Sequence, residues 1–390
     1  MNNLLGVKKV GGIRRGVAVS VVIMMCFLLS GCWDEVDLQD NSYMTALGID
    51  FIEGKYVVYG QMISFVAIAK TEGPKSEPKQ VWIGKSTGDS VLLALFHLSR
   101  TAQNILNLEH LETIVLHERA MNKVDEVLDG LNRQRASRYT SMIFGTNMPL
   151  DELFTTDAFF NESALSTILY NPKLQDQQFT FVHPFNMQTA VQKLKEPAMT
   201  TLIPALNFTE KYWKFKDQPL KTQMINGLFV FKNFKCQGYF KSDSVIGIRW
   251  LNEHFSRVLL KVSDQSGDAS TAITNSKIKF KTTLENGESS FDLDLKLVGH
   301  ILEHNGGMDE KKIAKLVENK VKEEIEAVYK LGIANQMDLL GLEHRLYRHH
   351  NSYWKEHAAK KGWMPRIDQL KLNVKFLITD TGKFDLVDDT

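Results

Sequence analysis

Residues 273–302 read ITNSKIKFKTTLENGESSFDLDLKLVGHIL, and this stretch decides the fold of the last third of the chain. At its centre, Asn286-Gly287 separates two runs rich in β-forming residues, which is the strongest short sequence signal for a β-hairpin. At the start of the second run, apolar residues alternate with charged ones, which predicts one buried face and one solvated face; the apolar set is Phe291, Leu293, Leu295 and Leu297, and the charged set is Asp292, Asp294 and Lys296. We therefore predict two antiparallel strands over residues 273–283 and 291–302.

The chain after this hairpin predicts a long amphipathic helix. Gly306-Gly307 breaks the second strand, and Asp309 is placed to begin a helix. One helical face is apolar and the other carries Lys and Glu; the apolar set is Ile313, Leu316, Val317, Val321, Ile325 and Val328. A last alternating strand is predicted at residues 370–378. The simplest packing lays this helix on a twisted antiparallel sheet, giving a C-terminal α+β domain over residues 271–390.

The earlier chain predicts two further mixed domains, over residues 32–190 and 191–270. An exposed loop is predicted at residues 70–80, where Gly and Pro stand among charges. The helix predicted at residues 91–98 is apolar nearly all round, so we expect it to be buried. The other predicted helices cover residues 121–131, 165–170 and 244–255, and the predicted strands cover residues 44–50, 56–59, 81–83, 111–116, 139–145, 227–231 and 238–240. The expected fold class is α+β, with three mixed domains built mostly from antiparallel sheets with packed helices.

The N-terminus predicts export and lipid attachment. Basic residues precede an apolar run over residues 17–29, which is shorter than the roughly 20 residues of a spanning helix and is typical of a signal peptide. The run ends in Leu29-Ser30-Gly31-Cys32, which resembles a bacterial lipobox. We predict a signal peptide over residues 1–31 and a diacylglyceryl and an N-acyl group on Cys32, which together would anchor the body to the outer face of a membrane. An ordinary signal peptide and an uncleaved N-terminal anchor are the alternatives.

Composition limits the function classes. The chain has 47 basic and 46 acidic side chains, a formal net charge of +1, so nothing in its global charge favours a nucleic-acid partner. Of its three cysteines, Cys26 would leave with the signal peptide and Cys32 would carry the lipid. Only Cys236 would remain, and the mature chain could form no internal disulfide.

A phosphate-binding loop is suggested only weakly, by Gly84-Lys85-Ser86-Thr87. The full motif requires a glycine where Lys79 stands, so an ordinary strand-to-helix turn is the favoured interpretation. The tryptophans Trp250, Trp354 and Trp363 could line a ligand pocket, but core anchors are more common. We expect Cys236 to be a buried small side chain rather than a nucleophile.

A zinc site is conceivable near the end of the chain. The candidate ligands are His344, His349, His350 and His357, with Glu343 and Glu356 close by. His350 and His357 would share one side of a helix and Glu343 could approach them, but no His-Glu-x-x-His motif or cysteine pair supports zinc. A surface helix is the favoured interpretation. We predict no catalytic residue, no metal and no cofactor, and hence no enzyme.

Several segments resemble one family along nearly the whole mature chain. The most specific are Gly31-Cys32-Trp33-Asp34 and Asp338-Leu339-Leu340-Gly341, supported by Thr45-Ala-Leu-Gly-Ile-Asp50, Asn107-Leu-Glu-His110 and Tyr353-Trp354. Together they are similar to the Ger(x)C family, the C subunits of spore germinant receptors. The usual Arg-Arg or Arg-Glu pair after Trp-Asp is replaced here by Glu35-Val36, which could alter a contact beside the membrane.

The resemblance implies a lipoprotein on the outer surface of the spore inner membrane. Its partners would be a polytopic A subunit and a transporter-like B subunit, in a complex that responds to nutrients. The family fold is three α+β domains, and no catalytic residues carry over; whether this subunit contacts the nutrient stays open. Two other classes remain: a solute-binding lipoprotein of a transporter, which should have two similar lobes, and an exported lipid-anchored hydrolase, which should have a nucleophile or metal constellation.

Overall fold

The structure is a computed structural model that describes residues 41–63, 81–133, 139–358 and 363–380, together with residues 16, 19 and 20. Cys32, nearly all of the predicted signal peptide and the whole of the predicted loop at residues 70–80 lie outside the described residues. The chain divides into two units, Met1–Ser42 and Tyr43–Thr390, and nearly everything described belongs to the second.

Fifteen strands are described. They are β1 Asn41–Ile52, β2 Lys55–Ile63, β3 Val81–Gly88, β4 Ile105–Asn107, β5 Thr113–His117, β6 Met142–Thr146, β7 Thr200–Thr209, β8 Lys214–Phe215, β9 Gln218–Pro219, β10 Thr222–Lys232, β11 Lys235–Lys241, β12 Val258–Asp264, β13 Gly267–Glu285, β14 Glu288–Gly306 and β15 Leu370–Asp380.

Among the α-helices described beyond residue 40, one is much longer than the others. They are α1 Val91–Ser99, α2 Val124–Asn132, α3 Leu150–Phe154, α4 Pro172–Gln178, α5 Met187–Lys195, α6 Glu310–Ala334, α7 Leu342–His349 and α8 Asn351–His357. A ten-residue 3₁₀ segment, Ser242–Leu251, connects the two main sheets.

The larger sheet has the strand order β11-β10-β7-β6-β5-β1-β2-β3, with β4 also on β1. Its middle strands are parallel, and both flanks are antiparallel hairpins. The halves join where Gly145 of β6 pairs with Ala205 of β7. A side chain at Gly145 would come within 2.3 Å of Phe229, so glycine is required at this contact. The sheet thus runs across the predicted boundary between residues 190 and 191, and the division into three domains stays a prediction.

The smaller sheet has the order β12-β13-β14-β15 and confirms the predicted hairpin. Asn286 and Gly287 have φ values of 51° and 77°, the left-handed turn that Asn-Gly favours. The alternating leucines of β14 are buried against α6, which Asp309 caps by accepting a hydrogen bond from the Lys312 N–H at 2.7 Å. The α+β fold class is therefore confirmed.

The predicted antiparallel arrangement of the last strand is wrong. β15 pairs parallel with β14, from Phe291 opposite Leu370 to Val298 opposite Leu377. The chain between these strands forms α6, α7 and α8, and a connection of that length returns the chain to the same end of the sheet.

Some local predictions also need correction. The helix at residues 91–98 forms, as α1, but Leu93 and Phe96 are 45% and 59% exposed because only one face covers the sheet. The helix predicted at residues 165–170 is only a 3₁₀ turn. The Tyr170 hydroxyl there bonds Thr45 at 2.6 Å, and Pro172 starts the next helix.

Two other predicted helices take partly 3₁₀ form. In place of the α-helix predicted at residues 244–255, the structure has the 3₁₀ segment Ser242–Leu251. The helix predicted at residues 121–131 is divided between a 3₁₀ turn and α2. In both cases the amphipathic pattern is correct, but it does not distinguish the two helical types.

The 3₁₀ segment packs tightly on α6. Both oxygens of Glu324 accept hydrogen bonds from Nη2 of Arg249 at 2.9 Å, and one accepts a bond from the Trp250 indole N–H at 2.7 Å. A side chain at Gly247 would come within 2.2 Å of the Glu324 carbonyl oxygen. We call this contact the Arg249–Glu324 joint; it holds the segment that forms one wall of the cleft described next.

Candidate functional site

A cavity of about 1090 Å³ opens between α5, the 3₁₀ segment, the turn before α7 and α7 itself. Its charged lining is mainly basic, so we call it the basic cleft. Besides four histidines, the charged residues that line it are Lys173, Lys193, Arg345 and Arg348, against the single acid Glu253.

The first wall is α5, which presents Lys193. Asn186 caps this helix by accepting a hydrogen bond from the Thr189 N–H at 3.0 Å, and Met187, Ala190 and Leu194 face the core. The ammonium of Lys193 lies 4.9 Å from the ring centroid of Phe185. Much of the Lys193 side chain is exposed to solvent, but its ammonium group lies close to Phe185 in the cleft wall. Burial there lowers the pKa of Lys193, partly offset by Glu253.

The second wall is α7, which begins at the Asp338–Gly341 turn. Asp338 is buried, and its Oδ2 accepts a hydrogen bond from the Glu343 N–H at 2.7 Å. Burial raises the pKa of Asp338. Gly341 has a φ of 68°, which favours glycine, and the buried Glu343 accepts bonds from Lys232 and from the Trp354 indole N–H. The Asp338–Gly341 segment therefore sets where α7 starts.

Arg345 is one of four α7 residues that line the cleft, with His344, Arg348 and His349. Its guanidinium stacks on Phe280 at 3.5 Å from the ring centroid. Burial lowers the pKa of Arg345, and Glu253 and Asp338 oppose that shift only in part. Neither Arg345 nor Lys193 has a hydrogen bond or salt bridge from its charged group to any residue that the structure describes.

At the rim, by contrast, His344, Arg348 and His183 have acid partners. Glu196 Oε1 lies 3.2 Å from His344 Nε2 and 3.7 Å from Arg348 Nη1. On the opposite side, His183 Nδ1 lies 2.7 Å from Asp176 Oδ2. Lys193 and Arg345, like the exposed Lys173, therefore line the cleft without an acid partner among the described residues, an arrangement suited to holding an anion.

The structure does not gather the histidines considered for zinc. His350 Nε2 lies 3.2 Å from the Thr282 carbonyl oxygen, and His357 Nδ1 lies 3.1 Å from that of Tyr353. His350 directly precedes α8 and His357 is its last residue. The buried Glu343 instead accepts hydrogen bonds from Lys232 and Trp354. Across the described part of the chain, no group of three or more His, Cys, Asp or Glu side chains is arranged to hold a metal ion.

The phosphate-loop candidate lies in a strand, not in the predicted turn. Gly84-Lys85-Ser86-Thr87 belongs to β3 and pairs with β2, because the turn comes later, at Asp89-Ser90. An extended strand cannot wrap its N–H groups around a phosphate.

Cys236 and the tryptophans have structural surroundings. Cys236 is half-buried, and burial raises the pKa of its thiol, opposite to what activates a nucleophile. Trp250 and Trp363 are buried, Trp354 bonds Glu343, and none of the three is in the described lining of the basic cleft.

Sequence reasoning missed Lys193 and Arg345. Each is one of several basic residues on a short amphipathic helix, a pattern that normally means a solvated face. The one available signal was the Asp338–Gly341 motif, four residues before Arg345.

Comparison with known proteins places both halves of the chain in one family. The model of the spore germination protein N-terminal domain matches residues 34–208, and that of the spore germination B3/GerAC-like C-terminal domain matches residues 226–382. Two proteins of Bacillus subtilis (strain 168) are each 22% identical to the chain. Spore germination protein KC aligns over 93% of this chain and 94% of its own length, and spore germination protein B3 over 93% and 97%.

A solved structure shares the fold. The crystal structure of the GerBC protein matches with a TM-score of 0.52 at 17% identity, over 85% of this chain and 96% of that one. Within the residues that are described here, no helix combines the length and apolar character needed to cross a bilayer. Because the two family models together match most of its length, this chain belongs to the Ger(x)C family of spore germination proteins.

Proposed function

We propose that this chain is the C subunit of a spore germinant receptor, a non-enzymatic lipoprotein held at the outer face of the spore inner membrane through Cys32. The observation that carries the proposal is the pair of family matches over residues 34–208 and 226–382. The first match begins two residues after Cys32, directly behind the lipobox-like Leu29-Ser30-Gly31. That position suits a folded body that follows a short lipid-anchored start.

The proposed partners are a polytopic A subunit and a transporter-like B subunit. Membership of the family supports a receptor role and association with the spore membrane. The assignment as a non-enzyme is supported by the surroundings of the candidate groups: Cys236 has a raised pKa, Glu343 bonds its neighbours, and Gly84-Lys85-Ser86-Thr87 lies in a strand.

The anchor is tested by radiolabelled palmitate incorporation in wild type, Cys32→Ala and, as the matched control, Cys236→Ala. We expect label and membrane retention in wild type and in Cys236→Ala, and loss of both in Cys32→Ala. Equal labelling of the Cys32→Ala protein would refute the anchor without touching the receptor role.

The receptor role is tested by deleting the gene and measuring nutrient-triggered germination as the fall in optical density of purified spores. We expect the deletion to abolish the response to at least one nutrient and the wild-type gene to restore it. Unchanged germination with impaired uptake of a labelled solute would support the transporter lipoprotein instead. The difference between the two described main sheets in size and strand order speaks against two similar lobes.

A further inference from the structure

The unusual feature of the basic cleft is that its inner cations have no counter-ion. Lys193 and Arg345 come from helices far apart in sequence and line the same cavity. Each is held from one side by an aromatic ring, Phe185 at 4.9 Å and Phe280 at 3.5 Å. Cation–π contacts of this kind fix the position of a charge without neutralising it.

Glu253 does not supply the missing charge. It is exposed, and it forms no salt bridge with Lys193 or Arg345 among the described residues. Its negative charge raises the pKa of both cations but only partly offsets the lowering by burial. One acid against these two cations leaves a net positive site, and the half-buried Arg345 has no counter-ion among the described residues, which is unfavourable.

A matching anion would remove that cost. Arg offers a planar fork of N–H donors that fits a carboxylate, and Lys offers a point charge that suits its second oxygen. A cavity of about 1090 Å³ exceeds the usual range for a single small ligand, and the paired rim at Glu196 leaves the centre accessible. Both features fit a side chain carried by an extended segment.

We propose that the basic cleft binds a carboxylate between Lys193 and Arg345. The carboxylate can come from an acidic segment of a partner polypeptide or from a free small acid. The inference does not depend on the receptor assignment, because its test uses only the full-length chain and defined acids.

The test is isothermal titration of the full chain in mild detergent with hexaglutamate and, separately, with citrate. For wild type we expect saturable binding with a Kd of about 1 mM or below. Lys193→Gln and Arg345→Met should each weaken binding about fivefold, and Glu253→Gln should tighten it about threefold by removing a competing charge. Lys296→Gln, which changes a lysine remote from the described cleft lining, is the matched control and should bind as wild type does.

The two probes distinguish the sources of the carboxylate. Hexaglutamate binding at least about tenfold tighter than citrate binding supports an acidic polypeptide segment, whereas equal affinities support a free acid. Binding unchanged in both Lys193→Gln and Arg345→Met, or the absence of saturable binding by either probe, would overturn the proposal. Unfolding temperatures of the variants confirm that each is folded before it is titrated.

Discussion

The buried Arg249 and the half-buried Arg345 occupy two regions that treat a cation withdrawn from water in opposite ways. In the Arg249–Glu324 joint, the guanidinium lies 5.0 Å from the Trp250 ring and meets a carboxylate. In the basic cleft, the Arg345 guanidinium stacks on Phe280 and meets none of the described acids. Burial lowers the pKa of both. The counter-ion is therefore what separates a charge that holds the fold together from a charge that is available to a ligand.

The largest effect should come from breaking the joint. Glu324→Gln leaves Arg249 buried without its carboxylate, so we expect the free energy of unfolding to fall by about 3–5 kcal/mol. Urea denaturation measures it. The control is Glu326→Gln on the same helix, where the exposed pair with Lys330 should be worth about 0.5 kcal/mol or less. A loss below about 1 kcal/mol in Glu324→Gln would contradict the structural role of the joint.

A second paired charge should make the protein sensitive to acid. Burial raises the pKa of Asp50, but hydrogen bonds from Arg119 and His117 outweigh it and hold that pKa well below its usual range. A carboxyl whose pKa is lower in the folded state stabilises the fold above its unfolded pKa of about 4, and this stability is lost as the pH falls further. Asp50→Asn should therefore cost roughly 2 kcal/mol at pH 7 and flatten the dependence of unfolding temperature on pH below 5. An unchanged slope would show that Asp50 titrates normally.

Removing the cleft cation should cost far less than breaking the joint. Arg345→Met keeps contact with Phe280 and removes a charge that has no described partner, so we expect the free energy of unfolding to change by less than about 1 kcal/mol. The same urea titration measures it. A loss above about 2 kcal/mol would mean that Arg345 is structural, and the comparison with Arg249 would fail.

The smallest effect should come from an exposed lysine row on the smaller sheet. Lys277, Lys296 and Lys375 stand directly opposite one another on β13, β14 and β15. Like charges in register repel, so Lys296→Gln should raise the free energy of unfolding by about 0.5 kcal/mol. Lys281→Gln, which removes a lysine opposite Asp292, should lower it by a similar amount. Equal effects of one sign would show that cross-strand charge does not decide stability on this face.

The sequence predicted best where structure is local and periodic. The Asn286-Gly287 turn, the alternation in β14 and the apolar stripe of α6 all appear where the pattern places them. Each depends on neighbours within a few residues, and one-residue errors would move every side chain to the wrong face.

The rest depends on contacts between distant segments. The parallel β15, the pairing of Gly145 with Ala205 and the exposed face of α1 follow from where the chain returns, which periodicity does not encode. The cleft has the same origin, because only tertiary packing brings Lys193 and Arg345 into the lining of one cavity. The Asp338–Gly341 motif can be recognised in the sequence, but its role in starting α7 is visible only in the structure.

The most direct test of the proposed function is affinity purification of the tagged chain from spore inner membranes in mild detergent, with partners identified by mass spectrometry. We expect two polytopic proteins in comparable amounts with wild type, and their loss with Cys32→Ala. Recovery of the chain alone, or of a permease with an ATPase, would contradict a germinant receptor subunit.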